Sequence, residues 1–172
     1  MKTFLLGFIA AFLVLPMCAL GYYRLGLAEV PSDSRPPAWE SWLMHSAVRA
    51  SVRRNASGLR SQIADNNDEA LTEGRKLYLN GCAGCHGDPG KPREDLSHYP
   101  PVPQFAHVGT RYTEPEAYWV IKHGIRMTAM SAYGPFYSDH EMWALARFVS
   151  RIKALPQGVV ERIQPKQAST SP

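Results

Sequence analysis

Five consecutive residues, Cys82-Ala83-Gly84-Cys85-His86, hold most of the chemistry this sequence offers. Cys-x-x-Cys-His is the spacing of c-type haem attachment. Thiols at i and i+3 share one helical turn, so each can add to one haem vinyl group. The imidazole that follows then falls under the iron as a proximal ligand. A redox dithiol of the thioredoxin type would need a βαβ context, which the surrounding pattern lacks. A zinc site would need further ligands, and the third cysteine, Cys18, lies far away in an apolar run. The expectation is one covalent haem c with its iron per chain, bound through Cys82 and Cys85, with His86 as an iron ligand.

Haem iron in an electron-transfer protein takes a second protein ligand. The residues of suitable type are Met127, Met130, His98, His107, His123 and His140. A thioether stabilises ferrous iron relative to imidazole and so raises the potential. Met130 lies in the loop-like stretch Arg126-Met127-Thr128-Ala129-Met130-Ser131-Ala132-Tyr133, from which a methionine could reach the far haem face. Spacing alone leaves Met130 and Met127 as competitors, and either could be ordinary core filler.

The elements that must position these residues are helical. Residues 4–23 carry no charged side chain, enough for a helix to cross a bilayer core at ~1.5 Å per residue. Tyr22 and Tyr23 stand where an interfacial belt would be. The competing reading is a cleaved signal peptide, with small-residue sites at Ala19-Leu20-Gly21 and Gly26-Leu27-Ala28. After a proline-rich spacer, Trp39, Trp42, Leu43, Ala47 and Ala50 recur at helical spacing and predict an amphipathic helix over 38–54. Its aromatics could face a membrane interface or pack on the domain that follows. Polar residues 55–68 read as linker, and a helix over 69–81 runs into the cysteine motif. From Gly87 to Tyr112, Pro89, Gly90, Pro92, Pro100, Pro101 and Pro103 discourage regular structure, which suits a loop wrapped around a prosthetic group. Thr113-x-x-Glu116 and Ser138-x-x-Glu141 are capping boxes that open helices reaching His123 and Leu155. The organisation expected is an anchor or signal segment at 1–28, spacer, amphipathic helix and linker at 29–68, a haem domain at 69–156 and a disordered tail at 157–172.

Charge narrows the partners. The net charge of +4 is too small to argue for nucleic acid. Residues 68–155 hold ten basic and ten acidic side chains. The basic excess lies upstream, where Arg49, Arg53, Arg54 and Arg60 face only Glu40 and Asp65 over 38–67, as suits either anionic lipid or a solvated helix face.

Three stretches together carry a resemblance: Cys82-Ala83-Gly84-Cys85-His86-Gly87, Ile121-Lys122-His123-Gly124-Ile125-Arg126-Met127-Thr128-Ala129-Met130, and Trp143-Ala144-Leu145-Ala146-Arg147-Phe148. They resemble the class I cytochrome c family over about residues 69–155, and more narrowly its membrane-anchored bacterial monohaem members. The resemblance implies an all-α fold of three main helices around covalent haem, preceded here by the N-terminal transmembrane or signal helix and the short amphipathic helix. It implies Met130 as the second axial ligand, two residues after Thr128. It pairs Gly74 and Tyr78 of the first domain helix with Leu145 and Phe148 of the last. Ala129 and Ser131 depart from the family's Gly and Pro; alanine takes positive φ only at a cost, and loss of proline softens the loop. The function implied is one-electron transfer rather than enzyme catalysis, between redox protein donor and acceptor. The alternatives are a haem subunit of a larger membrane oxidoreductase, or a haem enzyme or gas sensor with an open sixth position. The location implied is the bacterial inner membrane with the haem domain in the periplasm, where covalent haem attachment takes place. The basic residues do not follow the positive-inside rule in that orientation.

Overall fold

The structure is a computed structural model. It describes residues 2–28, 30–31, 33–64, 68–88 and 99–155, with the side chains of Lys2, Leu5, Leu6 and Ile9 outside that description. The chain forms two compact units, Met1–Pro36 and Pro37–Pro172. The tail expected at 157–172 and the candidate ligand His98 lie outside the described residues.

The first unit is built on one helix, α1 (Lys2–Arg24). Its side chains have no core to enter: Phe4, Phe12, Leu15 and Met17 are all largely exposed. Counted over the described residues, no helix is long and apolar enough to cross a membrane. The expected span is thus present as a continuous helix without meeting that measure.

The second unit holds α2 (Ala38–Ala56), α3 (Asp68–Gly81), α4 (Ala83–His86), α5 (Phe105–Val108), α6 (Glu114–His123) and α7 (Asp139–Arg151). There is no β-strand among the described residues. The core is the mutual face of α3, α6 and α7, with α7 buried along most of its length from Met142 to Val149. α3 and α7 cross most closely at Gly74. A Cβ there would overlap the carbonyl oxygen of Ala144 and lie 2.8 Å from Phe148 Cβ. One turn on, Tyr78 meets Phe148 with ring centroids 5.4 Å apart. Glycine brings the backbones together and the aromatic pair fills the space beside them.

Both predicted capping boxes are present. Thr113 opens α6 and Ser138 opens α7, each answered by its glutamate, Glu116 and Glu141. α7 ends earlier than the Leu155 expected. Beyond Arg151 the backbone tightens to i→i+3 bonds, with Ala154 N–H donating to Arg151 O at 2.7 Å, so the α-helical ladder stops. α5 was not foreseen within the proline-rich stretch. The polar stretch after α2, read as linker, is docked rather than solvated. Ile63 is buried, and the carbonyls of Ile63 and Ala64 accept hydrogen bonds from the Arg147 guanidinium of α7. Arg147 is fully buried and pairs with Glu114 at 3.2 Å, so its charge is both satisfied and shared across three elements.

Candidate functional site

The cysteine motif occupies the bend between α3 and α4. Cys82 N–H still bonds Tyr78 O, and Cys82 O accepts from both Cys85 N–H at 3.0 Å and His86 N–H at 2.8 Å. One tight turn therefore carries both sulfurs and the imidazole. Cys82 is buried in the apolar core, whereas Cys85 is exposed. Burial, and then the nearby Cys85, push the Cys82 thiol up to about 12. A neutral sulfur is what this position holds, and a thioether is neutral at any pH.

Four contacts fix the turn from outside. Tyr133 Oη donates to Gly81 O at 2.9 Å, just before it. Tyr78 Oη donates to Gly87 O at 2.6 Å, just after it. Gln104 Nε2 donates to Cys85 O at 2.9 Å. Pro103 O lies 3.0 Å from His86 Nδ1, and since a carbonyl only accepts, Nδ1 carries the proton and Nε2 keeps its lone pair. Burial lowers the His86 pKa, partly offset by the Pro103 bond. The ring is therefore held neutral and in a defined tautomer, with Nε2 free to coordinate. Phe105, at the start of α5, stacks on it with centroids 4.3 Å apart and planes within 6°. Sequence reasoning missed Pro103, Gln104, Phe105 and Tyr133. The proline cluster marked the region as loop, but no spacing rule ties residue 103 to residue 86.

On the other side of α6 the chain turns at Gly124, whose φ is +68°. A Cβ there would lie 2.6 Å from Met130 O and 2.7 Å from the Ser131 carbonyl carbon. Only glycine lets the 125–132 loop fold back so closely. The loop is closed by Ile125 N–H to Met130 O at 3.0 Å, Tyr133 N–H to Ile121 O at 3.0 Å and Gly134 N–H to Lys122 O at 3.1 Å. Thr128 Oγ1 donates to Ile125 O at 2.8 Å and accepts from Met130 N–H at 3.1 Å. Met130 is half-buried, while Met127 is 89% exposed and adopts φ of +60°. Positive φ thus falls on Met127 and not on Ala129, where the alanine was expected to be costly.

The remaining candidates are spread out. His123 packs on Trp119 with ring centroids 5.0 Å apart and planes tilted by 41°. His140 lies 3.6 Å from Glu73, and His107 is exposed on α5. Tyr118 donates to Asp139 at 2.7 Å, accepts from Lys122 at 2.9 Å, and stacks on Trp143. Among the described residues there is no group of three His, Cys, Asp or Glu placed to hold a bare metal ion.

Residues 69–149 match the family model described as Cytochrome C oxidase, cbb3-type, subunit III. This segment is a class I cytochrome c domain. No curated protein and no solved structure was matched by the chain. A cytochrome c domain implies a covalently bound c-type haem with its iron and haem-based electron transfer. The residues present fit that group: two sulfurs on one turn, one buried and one open, and an imidazole whose free nitrogen is set by the bond its other nitrogen makes. Bound haem supplies a ferric–ferrous couple. The protein around it supplies ligands, burial and orientation.

Proposed function

We propose that the chain is a membrane-tethered one-electron carrier holding a single haem c. In this reading Cys82 and Cys85 form the two thioethers, and His86 and Met130 are the axial ligands. The observation that carries it is the commitment of His86 Nδ1 to Pro103 O, which leaves Nε2 as the only coordinating nitrogen of a ring already fixed by Phe105. Met130 is favoured over Met127 because its backbone is bonded on both sides and its side chain is half-buried, whereas Met127 points to solvent. The rigid turn keeps donor nitrogen and sulfurs in place in both oxidation states, so little reorganisation accompanies electron transfer. A redox titration with optical spectra on the membrane fraction tests the assignment. A low-spin haem with a weak sulfur-to-iron band is expected, and a high-spin haem avid for carbon monoxide would reject it.

What supports the anchor is the 23-residue length of α1 and the absence of charge over 4–23. At ~1.5 Å per residue that helix matches the ~30 Å hydrocarbon core. Leu5, Leu6 and Ile9, outside the described side chains, are among its most apolar residues by sequence. Pro16 is acceptable in a spanning helix. With α1 in the bacterial inner membrane, the haem domain would face the periplasm. Resistance to alkaline carbonate extraction at full length is expected; a soluble protein lacking the first 20–28 residues would instead identify a cleaved signal.

The description of the matched family favours a second reading, a haem subunit of a larger membrane oxidoreductase. Copurification of a stoichiometric partner in mild detergent separates that from a free shuttle between donor and acceptor proteins.

A further inference from the structure

The two tryptophans of α2 are not where the helix packs. α2 packs against α6, and its buried residues are Val52 and Ala56. At ~100° per residue, Ser41, Val48 and Val52 mark the inward side of the helix. Trp39 and Leu43 fall on the opposite side, and Trp42 flanks them. Trp39 is 60% exposed, Trp42 72% and Leu43 48%. This is an aromatic and aliphatic patch with no protein over it among the described residues. Arg54 continues the outward side toward the C-terminus, while Arg49 and Arg53 lie on the flank, all three exposed. Arg53 lies 3.9 Å from Glu116 yet keeps its side chain 75% exposed. Against these arginines and Arg35 stands a single acid, Glu40, over residues 35–56.

We propose that this outward face of α2 rests in the interfacial zone of an anionic bilayer, with Trp39, Trp42 and Leu43 among the headgroups and acyl boundary, Arg54 on lipid phosphate, and Arg49 and Arg53 adding positive charge at the flank. Two arguments choose lipid over a protein partner. The composition of the helix, exposed indoles and a leucine beside an excess of arginine, suits an interfacial helix, whose indoles sit at headgroup depth while guanidinium groups pair with phosphate. The face also follows the proposed anchor by only residues 25–37, so a bilayer is the nearest surface available to it. The inference rests on the anchor reading. It adds that the cytochrome domain is held flat on the membrane by its own second helix rather than swinging on a tether.

The test uses the full-length haem-loaded protein in vesicles of phosphatidylglycerol and phosphatidylethanolamine. The photoreactive residue p-benzoylphenylalanine replaces Leu43 in one variant and Phe136, 77% exposed elsewhere in the domain, in a second. A lipid adduct at position 43 is expected, severalfold above that at 136, falling when phosphatidylglycerol is replaced by phosphatidylcholine or when salt is raised. Equal lipid labelling at the two positions, or none at 43, overturns the proposal. So does a protein adduct at 43 in native membranes, which would make the face a subunit contact. Carbonate extraction of the same samples reports on α1 alone, so loss of the anchor and loss of the α2 contact read out separately.

Discussion

At the scale of single residues, the molecule separates positions whose chemistry is fixed from those whose geometry is. Met130→Ala is expected to abolish the sulfur-to-iron band of the oxidised haem and lower the potential, while Met127→Ala leaves both unchanged; the reverse pattern in optical spectra would overturn the ligand assignment. Arg147 presents a different case. Its guanidinium is fully buried and bonded to Glu114, Ile63 and Ala64. Arg147→Leu leaves Glu114 and two carbonyls without their donor, and should cost about 3 kcal/mol, measured by urea unfolding. Asp139 shows how pH enters. Its hydrogen bonds from Lys122 and Tyr118 hold its carboxyl below the ordinary range. Its stabilising contribution is therefore complete above that range and is lost as pH falls through the depressed value. Thermal midpoints of the native protein should fall more steeply on acidification than those of Asp139→Asn.

At the scale of elements, the crossing of α3 on α7 sets the tolerance for change. Gly74→Ala puts a methyl into the Ala144 carbonyl, a backbone atom that cannot step aside. The expected cost is about 3 kcal/mol, the upper end for overpacked sites, read as loss of the native haem spectrum at a lower urea concentration, the haem staying covalently attached. Ser138→Ala removes one hydroxyl of the α7 capping box and should cost about 1 kcal/mol by the same unfolding assay. These elements are also where the sequence was most readable. The helix starts at Thr113 and Ser138 and the Cys82–His86 turn rest on local spacing, which survives in a linear chain, while the pairing of Gly74 and Tyr78 with Leu145 and Phe148 came from the family resemblance. What stayed hidden depends on contacts between distant residues. Nothing near His86 announces Pro103 or Phe105, and nothing in the polar residues after α2 announces that Arg147 will reach back for Ile63 and Ala64. The 125–132 loop was misjudged for a related reason. Ala129 looked costly because a family pattern has glycine there, but the closing bonds of this loop shift positive φ onto Met127, a flexible exposed residue.

At the scale of the whole molecule, one small domain surrounds its attachment turn with fixed points contributed by α3, by the 103–105 segment and by Tyr133 after the distal loop. Arg147 and its neighbours have a further meaning when the second unit is viewed as a mechanical object. On the proposed tether, any pull on the domain would enter through its N-terminal side. It meets α2 against α6 first and then Ala64, gripped by a guanidinium in the middle of α7. The pull is thereby spread into the broadest part of the core before it reaches Asp68 and the start of α3. The Cys82–His86 turn, at the far end of α3, lies beyond that grip, so a proposed tether would be braced on α7 before it reached the cysteines.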